Sequence, residues 1–363
     1  MLPAAVYLPT YCFGLLALTL LTTVIYMRPT TDFSFAVGFN RLMLPSCAAI
    51  IILFIGLRPL SWLFVDMGTY VAMYSRARAG EKVTGDWGFD ELLSFFAERF
   101  EVEYFFLFCA FLYIAPLAFA AARRHGEWAW SPFLALLGGF SFFNYGVNGI
   151  RHGVAASLII AAFSTRQNKV VTALLVVMSF TIHKSVVITG IAFVIASLIS
   201  RPGIWAAIWM VSAILVAIIG ERVNAFIFNL LPAIEDLRAE SYLLQRGEDK
   251  GGYRWDFLLY SSVPVIVSYA LAQTRIRAEK EYRVLLSTYI ITNTFWVLVI
   301  YAGFSNRFAY LSWSFLPWLV IYPFVGTQRD AYGNPGVRPQ LVLLGGALIV
   351  HFSFTFAMSL FYA

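Results

Sequence analysis

Apolar residues fill long, unbroken runs of this chain, and polar residues fall in the stretches between them. A helix needs roughly 20 apolar residues to cross the hydrocarbon of a bilayer. The runs are too long and too unalternating for barrel strands, so helices must satisfy the backbone within lipid. The pattern predicts an all-α, polytopic integral membrane protein. Its spans, about twelve by this length criterion, are expected at 9–26, 43–57, 104–122, 131–147, 151–164, 170–182, 185–200, 203–220, 255–273, 284–302, 308–325 and 340–361.

Composition supports the same class of protein. Of the 363 residues, 60% are hydrophobic and 13% are charged, against roughly 25% charged in an average soluble domain. The three cysteines lie within or beside apolar runs, which argues against a disulfide scaffold, a zinc site or a thiol nucleophile. Phosphate-binding glycine loops, Asp-x-Asp and metal-ligand motifs are absent from the sequence, so we expect no cofactor, no bound metal and no nucleic-acid partner.

Basic residues in the short loops are distributed unequally between the two faces that the spans define. One face has short-loop cations only at Arg151, Lys184 and Arg307. The opposite face receives Arg28, Arg41, Arg123, Arg124, Arg166, Lys169, Arg201, Arg275, Arg277, Lys280, Arg283, Arg329 and Arg338. The positive-inside rule makes this second face cytoplasmic. Residues 1–363 then form a single transmembrane domain with two extracytoplasmic loop elaborations, at 58–103 and 221–254.

The first outer segment, 58–103, contains candidate binding residues and a predicted interfacial helix. Asp66, Tyr70 and Arg76 follow the second span, although a solvated loop charge is the alternative interpretation for Asp66 and Arg76. Apolar residues at helical spacing follow in the stretch 87–96, which predicts an amphipathic helix lying along the membrane surface.

Four basic positions occur at the outer starts of predicted spans. Arg151, followed by His152, opens a helix after a turn rich in glycine and asparagine. A helix N-terminus attracts anions, so an arginine there suits a phosphate; the alternative is that it caps carbonyls or extends to the lipid headgroups. Equivalent positions are occupied by Lys184, preceded by His183, and by Arg254 and Arg307. An ionisable group at this depth is a functional candidate.

The order of these segments resembles the EpsG-like, Wzy-type bacterial polysaccharide polymerases. Asp66-Met67-Gly68-Thr69-Tyr70 is similar to the family's Asp-x-Gly-x-Tyr segment. Asn148-Gly149-Ile150-Arg151-His152-Gly153-Val154-Ala155 resembles its Arg-Gln-x-x-Ala helix start, with His152 where glutamine is common. Ile182-His183-Lys184-Ser185 resembles its Ile-His-x-Ser segment, and Asn306-Arg307-Phe308 its late arginine. The similarity covers roughly residues 60–310.

The resemblance implies a GT-C-like glycosyltransferase in the bacterial inner membrane, with its site on the periplasmic side. The expected donor and acceptor are undecaprenyl-diphosphate-linked oligosaccharides, and a chain-length regulator protein is a further partner that this family suggests. The expected reaction is metal-independent and inverting. Arg151, Arg254 and Arg307 would bind the diphosphate with help from Lys184, and His152, Tyr70 and Arg76 would contact substrate. His183 or Asp66 would be the general base.

Two other classes of function fit part of the pattern. A flippase for lipid-linked oligosaccharides would also have many spans and cationic cavity residues, but charges deep within the spans and inverted repeats are expected there. An O-antigen ligase or a membrane acyltransferase is the alternative within the enzymes.

The loop asymmetry predicts which positions an impermeant reagent reaches. In a variant without the native cysteines, a single cysteine at Gly203 should be protected from an impermeant thiol reagent in intact cells, whereas one at Gly247 should react. The reverse labelling pattern would overturn the orientation and move the candidate residues to the cytoplasmic face.

Overall fold

The apolar runs fold as helices in the computed structural model, which describes residues 2–28, 33–230, 252–270, 279–302, 305–329 and 337–361. Helices account for all the regular structure of these residues, and none of them lies in a strand. The chain divides into two compact units, Met1–Val186 with Ile321–Ala363, and Val187–Val320.

Among the residues that the structure describes, the first unit contains nine α-helices in sequence, the end of the helix Leu316–Arg329 and the C-terminal helix. Those that lie entirely in this unit are α1 (Tyr7–Met27), α2 (Phe33–Gly56), α3 (Met67–Arg78), α4 (Trp87–Arg99), α5 (Val102–His125), α6 (Trp130–Leu137), α7 (Phe142–Val147), α8 (Ile150–Ser164), α9 (Lys169–Ile182) and α17 (Val337–Phe361). The long helix α5 packs against α2 and α8, and α8 packs against α9. Helix α4 contacts both α5 and α9, and α1 packs along α17.

The second unit is arranged around one helix. Its elements are α10 (Val187–Leu198), α11 (Pro202–Ile219), α12 (Arg222–Leu230), α13 (Trp255–Ala270), α14 (Lys280–Leu298) and α15 (Asn306–Trp313), followed by α16 (Leu316–Arg329), which continues into the first unit. Helix α14 packs against α10, α11, α13 and α15, and its central Asn293 is fully buried. The Asn293 amide donates to Ser261 and Ser312 and accepts from Trp209, so polar bonds join these helices.

The helices confirm a multi-pass membrane protein. Within the described residues, six helical segments are long and apolar enough to cross a bilayer: Ala4–Met27, Ser34–Gly56, Val102–Trp128, Pro202–Ile219, Asn306–Val325 and Leu341–Met358. Shorter apolar helices occupy Ile150–Ser164, Lys169–Ile182 and Lys184–Leu198.

Two predicted spans contain breaks. The predicted helix at 131–147 is two helices, α6 and α7, because the chain turns at residues 138–141, which begin with Gly138-Gly139. The predicted helix at 308–325 turns between Trp313 and Leu316. Hydropathy does not register such turns, since apolar side chains continue through them.

Helix α8 lies at the centre of the first unit. Nearly every residue from Gly153 to Phe163 is buried, and most are small. A Cβ added to Gly153 would lie 3.0 Å from the backbone oxygen of Tyr145 in α7. Small residues permit this close approach of helix backbones, which drives helix association in a membrane.

The first predicted outer segment is helical, and most of the second lies outside the described residues. Within 58–103 the chain forms α3 and α4, and α4 coincides with the predicted amphipathic stretch, with Phe89, Leu93 and Phe96 buried on one face. Residues 231–251 of the segment 221–254 lie outside the residues that the structure describes, as do Arg275 and Arg277.

Candidate functional site

A buried carboxylate gathers two of the predicted site residues. The side chain of Asp86 is 6% exposed, and its Oδ2 lies 2.7 Å from Nη1 of Arg151 and 3.1 Å from Nδ1 of His183. Its Oδ1 accepts the backbone N–H of Lys184 at 3.2 Å. We call Asp86, Arg151 and His183 the Asp86 cluster. It joins the start of α4, the start of α8 and the end of α9.

Asp86 is presented by a tight turn that a second carboxylate holds. Gly85 has a φ of +72°, which favours glycine. Asp90 accepts the backbone N–H of Thr84 at 3.0 Å and that of Gly85 at 3.1 Å. Asp86 then occupies the N-cap position of α4, but its side chain makes no capping bond. An aspartate there ordinarily accepts from its own helix; this one bonds to α8 and to the end of α9.

Close packing of α4 against α9 brings Asp86 to His183. A Cβ added to Gly88 would lie 2.8 Å from the Cβ of Thr181 and 3.1 Å from its carbonyl carbon. Thr181 is two residues before His183, which ends α9 as its C-cap. The absence of a side chain at Gly88 therefore sets the spacing between the two helix ends.

The turn before α8 fixes where Arg151 stands. The side chain of Asn148 donates to Asn144 at 2.7 Å and accepts the backbone N–H of Asp66 at 3.4 Å. The backbone N–H of Arg151 lies 3.5 Å from the hydroxyl of Tyr70. Asp66 and Tyr70, both predicted site residues, thus lie at the same turn, and Asp66 is half-buried there.

A buried cation, Arg58, binds the last carbonyl of α7, directly before this turn. Arg58 as a whole residue is 2% exposed, and its side chain donates to the carbonyls of Ile55 at 2.8 Å and Val147 at 3.1 Å. Its guanidinium also stands over the ring of Phe106, 4.8 Å from the centroid. Burial lowers the pKa of Arg58 to about 10, so it remains charged at neutral pH.

The surrounding donors keep Asp86 ionised despite its burial. Burial raises the pKa of this carboxyl, but the His183 bond, the charge of Arg151 and the Lys184 N–H outweigh it and hold the pKa below its usual value. An anionic Asp86 also offsets the unfavourable placement of Arg151 in the first turn of α8. Removing one partner of a buried ion pair costs about 3–5 kcal/mol, because the other charge stays buried.

His152 adjoins the cluster, and Arg76 lies elsewhere. The imidazole of His152 stacks on the ring of Tyr145, with centroids 4.8 Å apart, and its centroid is 5.3 Å from that of His183. The side chain of Arg76 instead forms an ion pair with Glu81 at 2.7 Å, where both groups are more than half exposed. The structure thus brings His152 to the cluster and gives Arg76 a surface partner.

The remaining predicted arginines lie in the second unit. Arg254 donates from Nε and Nη2 to the two carboxylate oxygens of Asp256, at 3.0 and 2.8 Å, and stands 3.7 Å from the ring centroid of Phe257. Arg307 is the second residue of α15. Both arginines therefore belong to the second unit, whereas the Asp86 cluster belongs to the first.

Sequence reasoning missed Asp86. In the segment Thr84-Gly85-Asp86-Trp87, an aspartate directly before an amphipathic helix has the pattern of an ordinary N-cap. The available signal was an acidic residue placed directly at the junction of a predicted outer loop and an interfacial helix. Among the described residues, no three His, Cys, Asp or Glu side chains are grouped as metal ligands.

The fold and the cluster define a multi-pass helical membrane protein with charged groups at helix ends. The sequence profile of the EpsG family matches residues 42–361, nearly the whole chain. The chain therefore belongs to the EpsG family, a family of Wzy-like polysaccharide polymerases, which confirms the predicted resemblance. No curated protein and no solved structure shows significant similarity to it.

The packing at Gly88 generates a prediction with a matched control. Gly88→Ala should force α4 away from Thr181 and destabilise the protein by about 1–3 kcal/mol, the usual cost of overpacking. The measurement is the Tm of the detergent-purified protein. Gly14→Ala, in α1 with no neighbouring atom within 4 Å of the added Cβ, should leave the Tm unchanged or slightly raised. Equal Tm values for the two variants would contradict the close approach.

Proposed function

We propose that this protein polymerises a polysaccharide by joining undecaprenyl-diphosphate-linked oligosaccharide repeat units at the outer face of the bacterial inner membrane. The Asp86 cluster carries the proposal. In it an arginine, Arg151, and a candidate general base, His183, bind the same carboxylate oxygen, and arginine is well suited to binding phosphate. Membership of the EpsG family supports the reaction class.

In the proposed reaction, a sugar hydroxyl of the incoming repeat attacks the anomeric carbon of the growing glycan. The new C–O bond forms as the bond to the lipid diphosphate breaks, and the diphosphate leaves with the electron pair. The hydroxyl proton passes to the base. A single displacement of this kind inverts the anomeric configuration, and no metal ion is required by it.

Arginines suit the leaving group because negative charge develops on the diphosphate. A planar guanidinium donates two parallel N–H groups to phosphate oxygens. We assign this role to Arg151 in the first unit, with Lys184 and His152 as its neighbours. Arg254 and Arg307, in the second unit, are separately proposed to bind a lipid diphosphate. Removing a preorganised donor of this kind costs about 2.7–4 kcal/mol in the barrier. Tyr70 and Arg76 are further proposed contacts of the glycan.

His183 is the better supported of the two candidate bases. Asp86 is a carboxylate and accepts, so the Nδ1 of His183 carries the proton in their hydrogen bond. The basic lone pair is then on Nε2, as a general base requires. Asp66, at the turn before Arg151, remains the alternative base.

The finer membrane arrangement is also part of the proposal. The proposed arrangement has about twelve crossings: the six long and three shorter apolar helices would cross the bilayer, and so would α6 with α7, α13 and α14. It is GT-C-like, with the segments 58–103 and 221–254 outside. The donor and acceptor reach the site from the bilayer, and a chain-length regulator protein would act on the product.

A flippase is the second candidate that an experiment must separate, and an O-antigen ligase or acyltransferase is the third. The Asp86 cluster favours a transferase, because a transporter needs anion-binding groups but no residue to accept a proton from a hydroxyl. A ligase would transfer the glycan to a different acceptor and form no ladder of repeats.

Purified protein in lipid vesicles with a lipid-linked repeat as the sole glycan should produce a ladder of longer lipid-linked glycans. The reaction should persist in excess chelator, since the proposed chemistry needs no Lewis acid. Gel or mass analysis of the lipid-linked products is the measurement. Movement of the repeat across the bilayer without new glycosidic bonds would identify a flippase, and activity restored by one divalent ion would refute metal independence.

Variants should separate diphosphate binding from proton transfer. Arg→Ala at Arg151, Arg254 or Arg307 should abolish most elongation, and Arg→Lys should restore only part of it, because lysine lacks the planar fork. His183→Ala should bind the lipid-linked repeat nearly normally while turnover falls roughly 10²–10⁴-fold. Normal turnover of His183→Ala with loss in Asp66→Asn would transfer the role of base to Asp66. Normal rates in all of these variants at matched expression would refute the site.

A further inference from the structure

We propose that Asp86 is a positioning residue for this reaction, which holds the general base and a diphosphate-binding arginine with one carboxylate. This proposal rests on the proposed function and adds a residue that acts through His183 and Arg151. It assigns Asp86 no contact with substrate.

The bonding of Asp86 carries the proposal. A single carboxylate accepts from the Arg151 guanidinium, the His183 ring and the Lys184 backbone, at distances of 2.7, 3.1 and 3.2 Å. Although Asp86 is the N-cap residue of α4, its side chain accepts no hydrogen bond from the first turn of that helix. A residue that served only to start α4 would bond to its own helix, so the side chain is committed to the two functional groups.

Asp86 sets the proton position on His183. A carboxylate bonded to Nδ1 fixes the tautomer and the orientation of the ring, and it stabilises the imidazolium that forms when Nε2 accepts a proton. The same division of labour operates in hydrolases that pair histidine with aspartate. Lys184 strengthens the arrangement, because its backbone N–H holds the other carboxylate oxygen in place.

Asp86 also orients the Arg151 side chain while it accepts from only one of its nitrogens. The bond uses one terminal nitrogen of a group that has five N–H donors. Arg151 therefore keeps donors for phosphate oxygens while its long side chain is held in one place. A preorganised cation loses less conformational freedom on binding the diphosphate.

The test is Asp86→Asn in the elongation assay, with rates measured across pH. Asparagine keeps the shape but removes the charge, and its amide can donate to Nδ1 and so reverse the tautomer. We expect kcat to fall by roughly 10²-fold or more, within the 10²–10⁴-fold loss expected for removing the base itself. The acidic limb of the pH–rate profile should move to lower pH, because the lost negative charge no longer favours the imidazolium.

Asp90→Asn is the matched control. Asp90 is as buried as Asp86, at 4% against 5%, and lies in the same helix, but it bonds to the Thr84-Gly85 turn. Its loss should lower the Tm without moving the acidic limb. The pH profile therefore separates a positioning role from a merely structural one.

A double variant gives a second criterion. If Asp86 acts through His183, Asp86→Asn should add little to the loss already caused by His183→Ala. Should Asp86→Asn fail to insert, Asp86→Glu decides, since the displaced but charged carboxylate should lower kcat while the acidic limb stays in place.

Normal kcat in Asp86→Asn, or a reduced kcat with an unmoved acidic limb, would overturn the positioning role while leaving the polymerase intact. Failure of the proposed function looks different, since the protein without any substitution would then form no ladder of longer glycans.

Discussion

The first unit depends on one buried negative charge. Asp86 stays ionised at 5% exposure because a guanidinium, an imidazole and a backbone N–H converge on it. Each of these donors comes from a helix end, so the carboxylate joins α4, α8 and α9 at one point. Without it, the charge of Arg151 would remain half-buried at the positive end of α8, where the helix dipole disfavours a cation.

Glycines make this convergence sterically possible. Gly88 lets α4 approach the end of α9, and Gly153 lets α8 pack closely on α7. Lipid supplies no hydrophobic force between helices, so close packing and polar bonds must supply the association energy. The same logic operates in the second unit, where Asn293 bonds to serines of two neighbouring helices. Polar groups in this protein thus serve both architecture and chemistry.

The charged groups at helix ends are consistent with the chemistry of a Wzy-like polymerase. In the proposed reaction a lipid diphosphate leaves, and its departure would require cations that are already in place. Arg151 is held by Asp86, and Arg254 is held by Asp256 through two bonds. Each arginine therefore has an acidic partner that orients its guanidinium.

The sequence by itself determined the helical, multi-pass class and the family, because hydropathy and short motifs can both be read from contiguous stretches of the chain. It also indicated Arg151 and His183, since each stands at a polar interruption beside an apolar run. Only the structure showed that residues 131–147 form two helices and that Arg76 pairs with Glu81. It alone gave Asp86 its partners, which lie 65 and 97 residues away in sequence. Local pattern assigns such a residue to its own helix, because side-chain direction at a helix start is set by neighbours that only folding brings near.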